Sequence, residues 1–440
     1  MTKSITMKTK KGSVVRTRNY AVRDLSLAEQ GLRNIEWAET QMRSLLEIKK
    51  RFLKEKPLKG LRIGMALHVT KETAVLVKTL IAGGADVFIT SCNPLSTQDD
   101  VAAALAKLGV KVFAWKGETK KEYYENLERV ISFKPNFTID DGCDLVTLVH
   151  TKHRELLKSM IGGSEETTTG VIRLKNMEKQ GILKYPIIAV NESKTKKLMD
   201  NYYGTGQSAI DGIIRCSNIL FSGKTVVVAG YGNCGKGVAL RARGLGANVI
   251  VTEVNPLRAL QAVMDGYKVM PMKQAARIGD VFITVTGDKD VIRYEHIKLM
   301  KDSAILANAG HFDCEIDIKT LEKKAIRKRR IRPLFDEYLI RVGKEKKRIF
   351  VCGEGRLVNL ACGEGHPSSV MALSFCNQAL AVEYVYKRFK QGKPLSNRVH
   401  TLPEEFDSII ASLQLKAMGV RIDSLTREQR KYLSDWREGT

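Results

Sequence analysis

Apolar runs of five to nine residues alternate with longer amphipathic stretches through most of this chain, and that alternation constrains its fold more than any other feature. The first series begins at Leu61. LRIGMALHV reads as a strand, KETAVLVKTLIAGG as a helix, DVFIT as a strand, DDVAAALAKLG as a helix and VKVFAW as a strand, with FTIDDG and YPIIAVN continuing the pattern. A second series runs from Lys224 to about Gly365, with strands TVVVAG, NVIVTE, DVFITVTG, SAILANAG and RIFVCGEG. Strands of this kind must be covered on both faces, and interleaved helices supply the cover by building a parallel sheet. The expected fold class is therefore α/β, with two doubly wound parallel-sheet domains and a short C-terminal helical tail. Ligands gather at the carboxyl ends of the strands in such sheets. Polar clusters fall there: His68-Val69-Thr70, Asp140-Asp141-Gly142 and Asn191-Glu192-Ser193.

The break between the series lies near residues 194–223, and a return crossing lies near 365–369. Residues 1–200 with the return segment 366–398 are expected to form a substrate-binding domain, and residues 201–365 a second domain. Residues 399–440, ending in the helix-like SLTREQRKYLSDW, form a tail expected to serve oligomerisation. The first 55 residues read as peripheral helices, with Leu27, Leu32, Ile35 and Trp37 set among charges. A length of 440 residues exceeds what one core holds comfortably.

Several function classes are excluded by composition. The basic start MTKSITMKTKKGSVVRTR contains no apolar stretch, so a secretory signal is not expected. The longest uncharged apolar segment, 367–382, includes Ser, Asn and Gln and falls short of a membrane span. Eight cysteines without a C-x-x-C pair point to reduced thiols in a cytoplasm, with neither a disulfide framework nor a metal site. The formal charge of +25 invites a nucleic-acid reading. Its densest runs, Lys323-Lys324, Arg327-Lys328-Arg329-Arg330 and residues 344–348, have no interleaved aromatics and read as a solvated basic face. No nucleic-acid or membrane partner is expected.

The stretch VVVAGYGNCGKG admits two phosphate-binding loops. Gly230, Gly232 and Gly235 spell G-x-G-x-x-G, while Gly235-Lys236 also nearly completes an NTPase loop. That loop requires Ser or Thr after its lysine, and Gly237 stands there. The dinucleotide reading has its parts in place: a preceding strand, a following helix, and an acid, Glu253, 23 residues beyond Gly230 (253 − 230), near the ~20 expected of a ribose-binding carboxylate. Glu253 favours NAD over NADP by repelling a 2′-phosphate, and Arg258 nearby works slightly the other way. Asn233, Cys234 and Lys236, at the helix start beside the pyrophosphate, complete the expected loop contacts.

The segments LHVTKETAVLVKTL, SCNPLSTQDDVAAALA, AWKGET, DDGCDL, SEETTTGV, VNESKTKKLMDN, AGYGNCGKG, NAGHFDCEID, EGRLVNL and GHPSSVM occur in unbroken order over residues 18–390. Together they resemble the S-adenosyl-L-homocysteine hydrolase family. The resemblance implies one tightly bound NAD per subunit and a homotetramer. It also implies hydrolysis without net oxidation: oxidation at the ribose 3′ carbon, loss of the 4′ proton, expulsion of homocysteine, addition of water and re-reduction. By this resemblance Lys196 is the base at the 3′-OH, its pKa lowered by burial or neighbouring positive charge, with Asp200 and Glu166 on the ribose hydroxyls. His68 and Asp141 serve the 4′ and 5′ carbons, and His311 positions the ribose and the nicotinamide end. Thr70 and Glu72 read the adenine edge, with His366 near the adenine and the hinge. Thr167, Thr168, Thr169 and Asn201 meet the nicotinamide ribose and carboxamide, with Thr286, Asn308, Ala309, Gly310 and Asn359 as further cofactor contacts. Departures from the family's pattern are Thr205 where many members have Cys, Glu364 where many have Met, and Asn255 and Arg258 at the adenosine end. The tail also lacks the usual Lys and Tyr spacing, with Lys431-Tyr432 adjacent. An S-inosyl substrate is the alternative within the same chemistry. An ordinary NAD-dependent dehydrogenase and a non-catalytic regulatory relative are the others.

Overall fold

Hydrophobic burial places the apolar runs where their pattern requires, in the middle of two sheets. The computed structural model describes residues 14–437; residues 1–13, which hold most of the basic start discussed above, lie outside them. The first sheet contains β1 (Val15–Arg16), β2 (Tyr20–Val22), β3 (Arg62–Ala66), β4 (Asp86–Thr90), β5 (Lys111–Phe113), β6 (Phe137–Asp140), β7 (Gly162–Glu165) and β8 (Ile187–Ala189). The second contains β9 (Thr225–Ala229), β10 (Asn248–Thr252), β11 (Lys268–Val269), β12 (Val281–Thr284), β13 (Ala304–Asn308), β14 (Ala325–Arg332), β15 (Phe335–Val342) and β16 (Glu345–Cys352). From the tail, β17 (Val399–His400) returns to the first sheet beside β8.

The strand orders are β1-β2-β5-β4-β3-β6-β7-β8-β17 and β11-β10-β9-β12-β13-β16-β15-β14. In the first sheet the chain leaves β3 toward β4 and β5, then crosses back to β6, β7 and β8. In the second it leaves β9 toward β10 and β11, then crosses to β12 and β13. Helices on both faces part at these reversals, which opens a crevice beyond the carboxyl ends of β3 and β6 and another beyond β9 and β12. His68 and Asp141 follow the first pair of strands, and Gly230 and Thr286 the second.

Four features depart from simple alternation. β7 is Gly-Gly-Ser-Glu, which carries no strand pattern. It forms because Gly162 and Gly163 have no side chains to strike Val385 and Thr138, which close in on either side of it. β1 and β2 add a short antiparallel ribbon at the sheet edge that the N-terminal composition does not announce. The second sheet ends in an antiparallel hairpin, β14–β15, instead of staying parallel. Its basic residues are held by cross-strand charge: Arg327 and Arg329 on Glu337, and Arg330 on Asp336. Finally, the N-terminal helices Ala28–Gln41 and Arg43–Glu55 are more than peripheral, since Ile35, Leu45 and Phe52 enter the same core as β3 and β4, although Trp37 stays exposed.

The helix Ser368–Lys390 returns the chain to the first domain and buries Phe375, Cys376, Leu380 and Val385 within it. After β17, the helix Glu404–Ala417 packs against it, and Asp407 receives the amides of Lys194 and Thr195. No helix among the described residues is long and apolar enough to cross a membrane. Phe137, wholly buried at the start of β6, should be costly to truncate. Phe137→Ala is expected to lose ~3–5 kcal/mol and Trp37→Ala less than ~0.5 kcal/mol in denaturant unfolding.

Candidate active site

Both crevices open into one cavity of about 980 Å³, the size of a site for a large ligand. Gly230, Gly232, Asn233 and Cys234 line it, as do Glu253, Arg258 and Thr286. Gly230 adopts φ 106°, a left-handed conformation that favours glycine at the turn out of β9. The helix Asn233–Gly244 starts at Gly232 with no side-chain cap, so its first amides are left for a ligand at the cavity. Gly235 and Gly237 lie behind the loop. A side chain on Gly235 would strike the Gly230 carbonyl, and one on Gly237 the Tyr202 carbonyl, so these glycines serve close packing. Lys236 also lies off the cavity wall, with its ammonium 5.9 Å from the centre of the Tyr231 ring.

Glu253 directly follows β10, its carboxylate accepting the amides of Tyr231 at 2.7 Å and Asn255 at 2.9 Å, which fixes an acid beside the glycine turn. Thr167, Thr168, Thr169, Asn201, Ala309, Gly310 and Asn359 line the cavity too. Within Asn359, Nδ2 donates to Ser208 at 3.2 Å, while the buried Oδ1 has no partner. An unfilled acceptor on the wall suits an amide donor such as a nicotinamide carboxamide, so these residues fit a dinucleotide. Asn308 is different. Its Nδ2 donates to the carbonyls of Gly310, Phe312 and Gly355, its Oδ1 accepts from Thr284 and Gly310, and it holds the 309–312 turn from behind. Glu315 does similar work for Thr286 and Gly287, accepting their amides at 3.0 and 2.7 Å.

Lys196 is buried, with its ammonium 3.0 Å from Asp200, 2.9 Å from Asn201 Oδ1, 3.1 Å from Asn191 Oδ1 and 3.7 Å from Glu166. The expectation of a lowered pKa is corrected here. Burial works against the ammonium, but the charges of Asp200 and Glu166 outweigh it and raise the pKa above the ordinary lysine value. Burial pushes Asp200 up in turn, yet His366 and Lys196 overcome it and hold the carboxyl well below the usual range. Glu166, raised mainly by burial, accepts from Ser374 and, at 2.5 Å, from Gln378.

His68 and Asp141 meet beyond β3 and β6, with Nε2 3.4 Å from Oδ2. Burial pushes the His68 imidazole down to about 4 despite the neighbouring carboxylate, so near neutrality it is uncharged. Its Nδ1 meets Ser96 Oγ at 2.7 Å and Cys92 Sγ at 3.3 Å. From the second domain, His311 Nδ1 lies 3.5 Å from the other Asp141 oxygen. Asp141 thus stands between two imidazoles, each from a different sheet.

Thr70 caps the helix Lys71–Ala82, and Glu72 in its first turn accepts from Ser368 at 2.6 Å. Glu364 lines the same end with its carboxylate turned toward Lys71 at 2.8 Å and Arg215 at 3.4 Å. His366 sits against Asp200 through Nδ1 and 3.2 Å from Thr205 through Nε2, at the Lys196 cluster. Sequence reading named no role for Asn191, Cys92, Ser96, Ser374, Gln378 or Glu315. Each falls in or beside a recognisable segment, but only spatial contact gives it a task.

Comparison with known proteins finds two family models that match parts of this chain. A family model described as the S-adenosyl-L-homocysteine hydrolase NAD binding domain matches residues 201–365, and one described as S-adenosyl-L-homocysteine hydrolase matches residues 19–159. The S-inosyl-L-homocysteine hydrolase of Methanocaldococcus jannaschii is 60% identical over 421 residues, covering 96% of this chain and 100% of that protein. The adenosylhomocysteinases of Sulfurisphaera tokodaii and Aquifex aeolicus are 58% and 57% identical, each match covering 96% of this chain and 100% of the relative.

Two outcomes follow from the geometry. Gly235→Ala should push the loop off Gly230 and strip the protein of nicotinamide, which is read as cofactor content of the purified protein. Because folding depresses the His68 pKa from 6.5 to about 4, the unfolded chain binds more protons between those values. Stability contributed by neutral His68 is therefore present above about pH 6.5 and is lost as pH falls toward about 4. His68→Asn should lose less stability than the parent between about pH 7 and about pH 5 in urea unfolding.

Proposed function

The chain belongs to the S-adenosyl-L-homocysteine hydrolase family, and we propose that Lys196 and the His68–Asp141 pair work on opposite sides of one bound ribose. The protein is an NAD-dependent hydrolase that splits S-adenosyl-L-homocysteine with water into adenosine and homocysteine. The observation carrying the assignment of roles is that a lysine–carboxylate cluster and a histidine–carboxylate pair face the same cavity as the glycine loop.

When bound, NAD would supply a reversible oxidation of the 3′ carbon, which would make the adjacent 4′ hydrogen acidic. Lys196 holds the 3′ oxygen. It rests as an ammonium, so before it can accept the hydroxyl proton it must release one. Asp200, in contact at 3.0 Å and bonded on its other oxygen to His366, stays a carboxylate and anchors the ammonium, so the released proton leaves to solvent as substrate enters. An ammonium restored at this point is the donor that the 3′ oxygen needs when the alcohol reforms. Glu166, held by Ser374 and Gln378, takes the remaining ribose hydroxyl. His68 is neutral and can accept the 4′ proton, with Asp141 orienting it and His311 closing the site from the second domain. Water activation at the 5′ carbon falls to the same pair.

The adenine edge is assigned to Thr70 and Glu72. An S-inosyl substrate is the second reading, favoured by Glu364 at that end of the cavity and by the name of the Methanocaldococcus relative. The assembly is proposed to be a cytoplasmic homotetramer. In support, the helix Pro256–Met264 exposes Leu257, Leu260, Val263 and Met264, the tail exposes Leu433 and Trp436, and all eight cysteines are free.

The test is to incubate the purified holoenzyme, without added NAD, with S-adenosyl- and S-inosyl-homocysteine separately and to follow thiol release. Faster release from the adenosyl compound is expected, and release from neither by NAD-loaded protein refutes the function. Lys196→Met should lower turnover by ~10²–10⁴-fold, and unchanged turnover refutes the assigned base.

A further inference from the structure

Glu165 takes no part in the chemistry above, yet it is completely buried between the two segments that do. It ends β7 and is paired in register with Asp140 at the end of β6. One oxygen, Oε1, accepts the amide of Gly142 at 2.9 Å and the amide of Thr167 at 3.0 Å. The other, Oε2, is buried without a partner. Gly170, in the first turn of the helix Thr168–Lys179, has no side chain because any Cβ there would strike this carboxyl group.

The two amides belong to different parts of the site. Gly142 follows Asp141 in a turn whose next two residues, Gly142 and Cys143, have φ 107° and 67°. A side chain on Gly142 would collide with the His311 ring, so this turn is also where His311 of the second domain packs closely. Thr167 opens the Thr167-Thr168-Thr169 run on the cavity wall, to which the cofactor contacts are assigned. Glu165 thus joins the Asp141 turn to the threonine segment through a single atom.

We infer that Glu165 is a positioning residue, whose Oε1 holds the Asp141 turn and the Thr167 segment in register so that proton transfer and the redox step address the same ribose. This rests on the roles proposed above for Asp141 and the threonine run. The acid acts in its uncharged form. Burial first, then the charges of Asp140 and Asp141, raise its pKa well above the ordinary glutamate value. Asp140 beside it accepts the amides of Asp141 and Val146 at 3.0 and 2.9 Å, and burial pushes its own carboxyl up to about 7. Arg173 brings a guanidinium to the same turn, donating to the Gly142 carbonyl and, at 2.7 Å, to Asp144, while the thiols of Cys92 and Cys143 are both raised chiefly by burial and therefore neutral. An uncharged acceptor is all that two amides require, and it adds no anion next to Asp140.

The test compares Glu165→Ala, Glu165→Gln and Gly170→Ala as NAD-loaded proteins. Each is assayed for thiol release from S-adenosyl-homocysteine, for reduced-nicotinamide absorbance formed on adding adenosine, and for pH dependence, all per loaded site. Loss of both amide bonds in Glu165→Ala should lower kcat by ~10–100-fold with KM changed less than ~3-fold, the size of effect that sub-ångström misplacement produces. Gly170→Ala, which displaces the carboxyl group without removing it, should fall in the same direction. Glu165→Gln should rescue most of the loss and keep the parent pH profile, because its amide oxygen accepts both bonds. A merely structural role would lower the unfolding midpoint and the yield of loaded protein while leaving kcat per loaded site intact. The inference is overturned by that result. It is also overturned by a Gln variant as impaired as Ala or with a shifted pH profile, a readout that stands even if the Ala variant fails to fold. Parent protein that releases no thiol would instead refute the function proposed for the site.

Discussion

A buried ammonium that cannot be left unpaired organises this molecule. Lys196 has lost its water, and an isolated charge in that position would cost more than a folded domain can supply. Its partners come from separate parts of the chain: Glu166 after β7, Asn191 after β8, and Asp200 and Asn201 in the wide, π-helical turn Asp200–Gly204. Those partners need partners in turn. Glu166 is held by Ser374 and Gln378 on the returning helix, and Asp200 by His366 at its approach. The return segment is thereby tied to the first domain by polar contacts as well as by its apolar face. The junction between domains and the reactive end of the cavity are built from the same bonds.

The same cluster separates the ionisable groups by task. Lys196 is pushed toward its charged form and Asp200 toward its own, while Glu166 is pushed toward neutrality by burial and His68 is kept neutral. Environments that drive neighbouring groups apart in this way mark acid–base sites. A lysine stabilised as a cation is a poor resting base, so the proposed reaction depends on its losing that proton to solvent before it can act, while Asp200 stays a carboxylate and keeps it in place. One layer behind, burial raises both Glu165 and Asp140, and Asp140 caps the helix Asp144–Thr151 through Val146.

Much of this was legible in the sequence where local chemistry is specific. The glycine loop, Glu253 and the strand ends bearing His68 and Asp141 were readable because tight turns and strand ends restrict residue type. The strand β7 was not readable, because Gly-Gly-Ser-Glu has no alternation and pairs only where Val385 and Thr138 close around it. The β14–β15 hairpin was not readable either. Its basic residues suggest a solvated face, and only the cross-strand carboxylates Asp336 and Glu337 make them a sheet edge. Asn308 was readable as polar and near the site, but three carbonyls and two donors consume its amide from behind the wall.

The sequence by itself determined the fold class, the dinucleotide loop and the family, because these rest on periodicity and on ordered motifs that survive without knowledge of contacts. Tertiary structure decided which groups share a proton environment. Lys196 looked like a base whose pKa must fall, and the sign reversed once Asp200 and Glu166 stood beside it. The physical reason is that a pKa is set by charges and solvent within a few ångströms, and residues from β7, the Asp200–Gly204 turn and the return segment come that close only after folding.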